Sequence, residues 1–446
     1  MRARRLLPML LASACLAGGA MQARGGEDDA VPLTLAEALQ ASDDADEQIG
    51  QAELDLEVIR ADTAAALSAL LPTPGVGLSR IESGDEMMFL RAGIGYPLAT
   101  YKVWRPTLDV SAPLLAPSAI GSLVAAGRAE KAEVRNLEAS RQQVLYGVVR
   151  SYYLALSAHS AVEVSRASAD SALTLEAAAE SRLAAGTETR VGVERARADR
   201  ITADGAVEQA RFTAEQADLG LAYAAHLPLS AYTLTVPVRP EMPGASTDDR
   251  VEQAREDRPD IRAADWTAAA AHSAAQAAGL GLSPELRLGF SWQYTIYDRQ
   301  DLRDELPAER WSLGLQLEWE LPGTIGPAAD IRAARASQRQ AQLEQARLER
   351  EVEALVRSAE LALRAAEANL QVAFEIDVLA QANLGAGLRL YQEGLATGLE
   401  VTTLKTERDA AAAELVGARL ARDLAEVDLV ESLGLDPLTT YGARAR

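Results

Sequence analysis

The chain of 446 residues holds one cysteine, three histidines and four phenylalanines. One cysteine excludes a disulfide framework, and His159, His226 and His272 are too widely spaced in sequence to read as a metal site. Aromatics make up 4% of the chain although hydrophobic residues make up 48%, so alanine carries much of the apolar share. Such a composition suits thin helix–helix seams better than a thick globular core. Cationic excess is missing too: the net charge of −21 would repel nucleic acid. No stretch after the N-terminus approaches 18 consecutive apolar residues, which excludes a membrane-spanning helix. Phosphate-binding glycine loops, GxSxG elbows and HExxH motifs are absent, so neither catalysis nor a cofactor or metal is expected.

What is present begins with an address. Residues 1–23 have a basic start (Arg2, Arg4, Arg5), a short apolar core from Leu6 to Leu16, and small residues up to Ala20 and Ala23. This is the pattern of a bacterial secretory signal peptide. Cys15, after "ASA", loosely follows a lipoprotein box and is the candidate lipidation site; Ala12 stands where such a box usually has leucine. The plainer reading is a cysteine inside a discarded signal.

The rest of the chain repeats itself. Pro72 pairs with Pro284, Pro113 with Pro322, Gly186 with Gly394, Pro228 with Pro437 and Ile49 with Ile261, in order and at offsets of 208 to 212. A tandem duplication follows, with a first repeat over 32–235, a Pro-rich linker over 236–249 and a second repeat over 250–440. Each repeat opens with a helix, expected over 34–70 and 249–281. After a proline come two segments of period two, expected as strands at about 74–82 and 104–114, then 286–297 and 310–321. Leu286, Leu288, Phe290 and Trp292 alternate with polar or small residues, as do Leu313, Leu315, Leu317 and Trp319.

Long proline-poor helices are expected over about 118–185 and 329–393, each roughly 100 Å long at 1.5 Å per residue. Leu348, Val352, Leu355, Ala359, Ala362 and Ala366 step by four and three, the rhythm of a coiled-coil seam. The partner helix carries Leu404, Ala411, Leu415, Ala418, Ala425 and Leu429 at compatible spacing, and Arg408 and Arg422 interrupt it, expected to snorkel past the seam. Between the paired helices lie "RLAAGTETRVGV" and "YQEGLATGLEV". In each a glycine is followed three residues later by threonine, so Gly186 with Thr189 and Gly394 with Thr397 mark tight turns. Met87 and Met88, neighbours in the loop between the first two strands, read as packing or surface anchors.

Four strands per chain are too few to close a barrel, whereas three chains would supply twelve. The order of these motifs, from "LTLAEALQAS" through "RPDIRAADWTAAAAHSAAQAAGLGLSPEL" to "YQEGLATGLEVTTLKTERDAAAAEL", resembles the TolC-type outer-membrane efflux protein family over about 32–440. The resemblance implies a mainly α fold with a membrane β part. Tandem-repeat antiparallel coiled-coil helices would form a periplasmic α-barrel, and four strands per chain would join a twelve-stranded barrel in a homotrimer.

It also implies contact with outer-membrane lipid, and partners in a periplasmic adaptor and an inner-membrane transporter. The glycine turns become adaptor-docking tips, with Arg182, Gly186, Thr189, Gly394 and Thr397 as their residues. Arg182 and Gly186 equally fit an ordinary helix end with a basic last turn and a capping glycine. Glu400 matches the first of two acidic positions at the family's pore constriction, and Thr403 takes the second. Glu400 also suits an ordinary helix start. Trp292, Trp311 and Trp319 become membrane-interface aromatics. The competing reading is a soluble periplasmic coiled-coil scaffold without channel activity.

Overall fold

The structure, a computed structural model, describes residues 31–83, 87–91, 94–98, 101–229, 232–240, 246–298, 307–319 and 325–442. The signal segment, its cleavage positions and Cys15 lie outside the described residues.

The chain starts with a short strand, β1 (Val31–Leu33), and helices α1 (Leu35–Ala45) and α2 (Glu47–Ser68). A single helix over 34–70 is therefore corrected to two. Asp46 adopts extended ψ (129°), and its carboxylate accepts from the amides of Gln48 and Ile49, capping α2. Strands β2 (Thr73–Ser83), β3 (Met87–Arg91), β4 (Ile94–Leu98) and β5 (Tyr101–Leu115) follow. Met87 and Met88 thus fall in a hairpin strand, β3, paired with β4.

Helix α3 (Pro117–Ala184) runs for 68 residues and α4 (Arg190–Ala224) returns along it. A strand that the sequence did not suggest, β6 (Tyr232–Leu234), pairs in parallel with β1.

The second half repeats the order. Helices α5 (Thr247–Asp257) and α6 (Pro259–Leu280) again replace one expected helix, because Arg258 is extended (ψ 125°) and Pro259 restarts the helix. The last residues of the expected linker are helical, since Ser246 and Asp249 form a capping box on α5. Then come β7 (Glu285–Tyr294), β8 (Ile296–Tyr297), β9 (Glu309–Glu318), α7 (Ile325–Gln392), α8 (Gly398–Ser432) and α9 (Pro437–Gly442).

In the helical layer α2 packs on α3, α3 on α6 and α6 on α7; farther along, α4 lies on α3, and α8 lies between α3 and α7. Where α1, α3, α4 and α8 meet the β1–β6 pair, the largest cluster of buried side chains forms around Leu39, Leu145, Tyr146, Tyr152 and Leu221. The Tyr152 hydroxyl donates to the Leu33 carbonyl at 2.8 Å and accepts the Thr235 amide at 2.9 Å, tying the strand pair to α3.

On α7 the expected seam positions Val352, Ala359 and Ala366, seven residues apart, are buried, but Val356 is buried where Leu355 was expected, and Leu355 and Ala362 face outward. The reason is local: at this level α7 also meets α5 and α6, and Val356 joins Val251, Ala254 and Ile261. Arg422 does not snorkel. Its side chain is 5% exposed and pairs with Asp423 and, at 2.9 Å, with Glu426.

One link makes the α3–α4 contact pH-dependent. His159 Nε2 lies 2.9 Å from Asp218 Oδ1, and that hydrogen bond raises the imidazole pKa above its ordinary value. A raised histidine stabilises the fold fully below its unfolded value of about 6.5 and loses the contribution as pH climbs through the folded value. Asp218→Asn is therefore expected to lower the unfolding midpoint at pH 6 and to change it little at pH 9, read by circular dichroism. An equal loss at both pH values would exclude the link.

Candidate functional site

Two places carry the features that solvent alone does not explain: the faces of the sheet and the helical tips. The sheet order is β2-β5-β7-β9, all antiparallel, with β8 alongside β5. Register fixes which side chains share a face, because residues paired across strands point the same way. Val76 pairs with Leu108, Leu108 with Trp292 and Trp292 with Trp311. One step along, Pro74, Val110, Phe290 and Leu313 form the next row, and Ala112, Leu288 and Leu315 another.

The alternate residues, among them Gly77, Thr107, Asp109, Ser291, Gln293, Ser312 and Gln316, give the opposite face its polar or small character. The apolar face is not covered: Val76 is 85% exposed, and Leu313, Leu315 and Leu317 are 62 to 67% exposed. A four-strand row of uncovered Leu, Val and aromatic side chains is an aggregation hazard in water. Against lipid it is the correct surface.

Trp292 and Trp311 stand together at one end of β7 and β9, with the Trp292 indole donating to Glu309 at 2.8 Å. Trp319, just past β9 at the helical end, donates to the Leu282 carbonyl at 3.1 Å. Eight residues separate Trp311 from Trp319, roughly 26 Å along a strand.

The two tips are built alike. Gly186 (φ 73°) and Gly394 (φ 80°) take the left-handed conformation that ends α3 and α7. Thr187 and Leu395 then donate back to the carbonyls of Arg182 and Leu390. Thr189 and Thr397 cap the returning helices, with the Thr189 hydroxyl accepting the Gly192 amide at 3.1 Å.

Glu400 closes a capping box: its carboxylate accepts the Thr397 amide at 2.7 Å and the Thr397 hydroxyl at 3.0 Å. Those bonds, the amide first, hold its pKa below the usual carboxylate value. The tips also touch each other. The Arg182 guanidinium donates to the Tyr391 carbonyl and lies 4.3 Å from the centre of its ring, and the Tyr391 hydroxyl donates to Glu188 at 3.1 Å. Tyr391 and Glu188 were not singled out from sequence, although Tyr391 opens the second turn segment.

Sequence spacing also missed a cluster near the chain's middle. His226 Nε2 lies 3.2 Å from Asp46 and 3.6 Å from Glu47, the one group of three potential metal donors among the described residues. Asp46 already caps α2, so a hydrogen-bonded stitch between the end of α4 and the start of α2 accounts for the contacts.

Sequence comparison with the outer membrane efflux protein family matches residues 38–225 and 251–435. The chain belongs to that family. Its fold is that of solved channels: VceC from Vibrio cholerae is 18% identical, with a TM-score of 0.77 over 90% of this chain and 96% of that one. CusC is also 18% identical, with a TM-score of 0.78 over 93% and 95%. The open state of MtrE from Neisseria gonorrhoeae is 19% identical, with a TM-score of 0.72 over 90% and 88%. No curated protein matches.

Family members of this shape are channels, and the fold here is mainly helical with a small sheet, as in theirs. Among the described residues of this member no helix is long and apolar enough to cross a membrane.

Proposed function

We propose that the protein is the outer-membrane duct of a tripartite efflux or type I secretion system. Three copies close their four-stranded sheets into one twelve-stranded barrel, and their long helices continue it as a periplasmic tube. The observation that carries this is the sheet: apolar on one face, polar on the other, with β2 and β9 as outer strands. Pairing β9 of one copy with β2 of the next leaves no unpaired edge, as a lipid-embedded sheet requires. The repeats, 32–235 and 250–440 joined by 236–249, then each supply two wall strands and one hairpin. A soluble scaffold would leave the apolar face uncovered.

In this duct Trp292 and Trp311 mark one membrane interface and Trp319 the other, their spacing suiting an apolar band of about 25 Å. The tips at Arg182, Gly186, Thr189, Gly394 and Thr397 form the far mouth, where a periplasmic adaptor docks and hands cargo from an inner-membrane transporter. Lipidation at Cys15 would add an anchor beside the barrel. Negative-stain electron microscopy of detergent-extracted protein tests the duct. Tapered tubes with threefold end views, near 140 Å long from roughly 100 Å of helix plus a barrel, are expected. Compact particles released from cells without detergent would sink it.

Glu400 places three carboxylates at that mouth, where a ring of like charge attracts cations. Its charge separates from its capping role, because glutamine also serves the third position of a capping box. Glu400→Gln is expected to lower cation-over-anion selectivity in planar-bilayer recordings while leaving helicity unchanged. Selectivity equal to the parent's would reduce Glu400 to a cap.

A further inference from the structure

The stitch between α4 and α2 engages two of three donors that lie together. His226 Nε2 is 3.2 Å from Asp46 Oδ2 and 3.6 Å from Glu47 Oε2. The second distance is too long for a hydrogen bond, which needs about 3.2 Å or less. Both distances suit the edge of a tetrahedron of zinc ligands: bonds of about 2.0 to 2.2 Å set neighbouring donors roughly 3.3 to 3.6 Å apart. All three donor atoms lie within 4.8 Å of one another. The Glu47 side chain, 82% exposed, is free to swing and close the remaining edge.

Each donor is presented as a metal ion requires. Asp46 Oδ1 accepts the amides of Gln48 and Ile49 at 2.8 and 3.4 Å, which turns Oδ2 towards His226. Outer hydrogen bonds of that kind orient a ligating carboxylate. His226 offers the Nε2 lone pair when its ring proton sits on Nδ1. The Asp46 and His226 side chains are partly withdrawn from water, and Glu47 and solvent lie on the outer side. Two carboxylates neutralise a dication, and the negative pole at the end of α4 offsets the positive pole of α2.

The second repeat closes the same junction without these donors. Adding 208 to His226 gives Gly434, and adding 212 to Asp46 and Glu47 gives Arg258 and Pro259. The backbone is alike in both places. Asp46 (φ −73°, ψ 129°) and Arg258 (φ −63°, ψ 125°) each break a helix. His226 (φ 52°) and Gly434 (φ 71°) each take the left-handed turn that follows one. A Cβ on Gly434 would lie 2.8 Å from the Arg258 Cα, and Arg258 Nη1 donates to the Ser432 carbonyl at 2.9 Å. One arginine and one glycine thus suffice for the closure. In the first repeat the position that favours glycine carries a histidine instead, the only non-glycine residue with positive φ among the described residues. Its imidazole stands beside two carboxylates.

We propose that His226, Asp46 and Glu47 form a site for a divalent transition ion of the zinc class, with water completing the tetrahedron. Imidazole with two carboxylates suits a borderline ion such as zinc, and not magnesium, which demands an octahedron of oxygens. The site goes beyond the duct and does not depend on it. It joins residues 180 apart, just after α1 and just before β6, so a bound ion clips together the two ends of the first repeat.

Isothermal titration calorimetry of the untagged, detergent-solubilised full chain with zinc chloride tests the site, in enough salt to screen the acidic surface. One zinc ion per chain is expected, with no saturable binding of magnesium. His226→Gly is the informative variant, because glycine suits a φ of 52° and is the residue the second repeat uses there. It is expected to fold as the parent does and to lose the zinc. Glu47→Gln is expected to weaken binding tenfold or more. Zinc should also raise the parent's thermal unfolding midpoint and leave that of His226→Gly unchanged. A parent that binds no zinc would overturn the site. Saturable binding that survives His226→Gly would overturn it too, by placing the ion elsewhere on the acidic surface.

Discussion

Leu315→Arg is expected to stop the protein from assembling in the outer membrane. Leu315 sits mid-strand in β9, pairs with Leu288 and is 67% exposed on the apolar face of the sheet. In water such a change would be close to neutral, since an exposed leucine loses little and arginine is well solvated. At the midplane of a bilayer an arginine on the lipid face of a barrel strand costs about 2 to 4 kcal/mol. In the proposed trimer three copies would incur that cost together, and closure of the barrel would depend on β9 finding a partner. The neighbour Gln316 faces the other way, so Gln316→Arg places the same charge on the polar wall and is expected to assemble normally. Heat-stable trimer on gels of membrane fractions measures both. A soluble helical scaffold would tolerate the two substitutions equally, and that result would remove the membrane from the account of this sheet.

Much of this architecture was legible because two periodicities are strong. Period two in 286–292 and 313–319 can only place alternate side chains on opposite faces once a strand forms, and the proline and glycine landmarks divide the helices. What escaped was of two kinds, a local cap and contacts with partners distant in sequence. The break at Asp46 depends on a side chain turning back to its own helix start, and a capping aspartate looks like any other in a stretch rich in acids. Which residues form the α7 seam depends on α5 and α6 pressing from a second side, so Val356 and Leu355 could not be ranked from spacing alone. The tip contact between Arg182 and Tyr391 joins residues 209 apart. Each turn was visible in sequence; their meeting was not.

Burial was equally hidden at Arg422, although its ion partners Asp423 and Glu426 are close in sequence, and substitution there is expected to cost the most among the helices. An arginine in a coiled-coil seam reads as a long side chain reaching water. Here it lies buried, with Glu426 also only 8% exposed beside it. Burial raises the Glu426 pKa, opposed by the charges of Arg422 and Arg239. Arg422→Met removes the nearer cation and leaves a desolvated carboxylate, a loss of about 3 to 5 kcal/mol. The sign of its pH dependence follows from the raised pKa. A carboxyl that binds its proton more tightly in the folded state favours folding at low pH, and the advantage disappears as pH rises through the folded value. Without Arg422 that value moves higher still, so the variant's deficit should be large at pH 8 and shrink towards pH 5. Replacing both partners, Arg422→Met with Glu426→Leu, should recover most of the stability, because an apolar pair of similar volume needs no compensating charge. Urea unfolding of the detergent-solubilised protein at the two pH values measures all three chains. A deficit independent of pH, or a double variant no better than the single, would mean that Arg422 acts through packing of its stem against α3 and not through its charge.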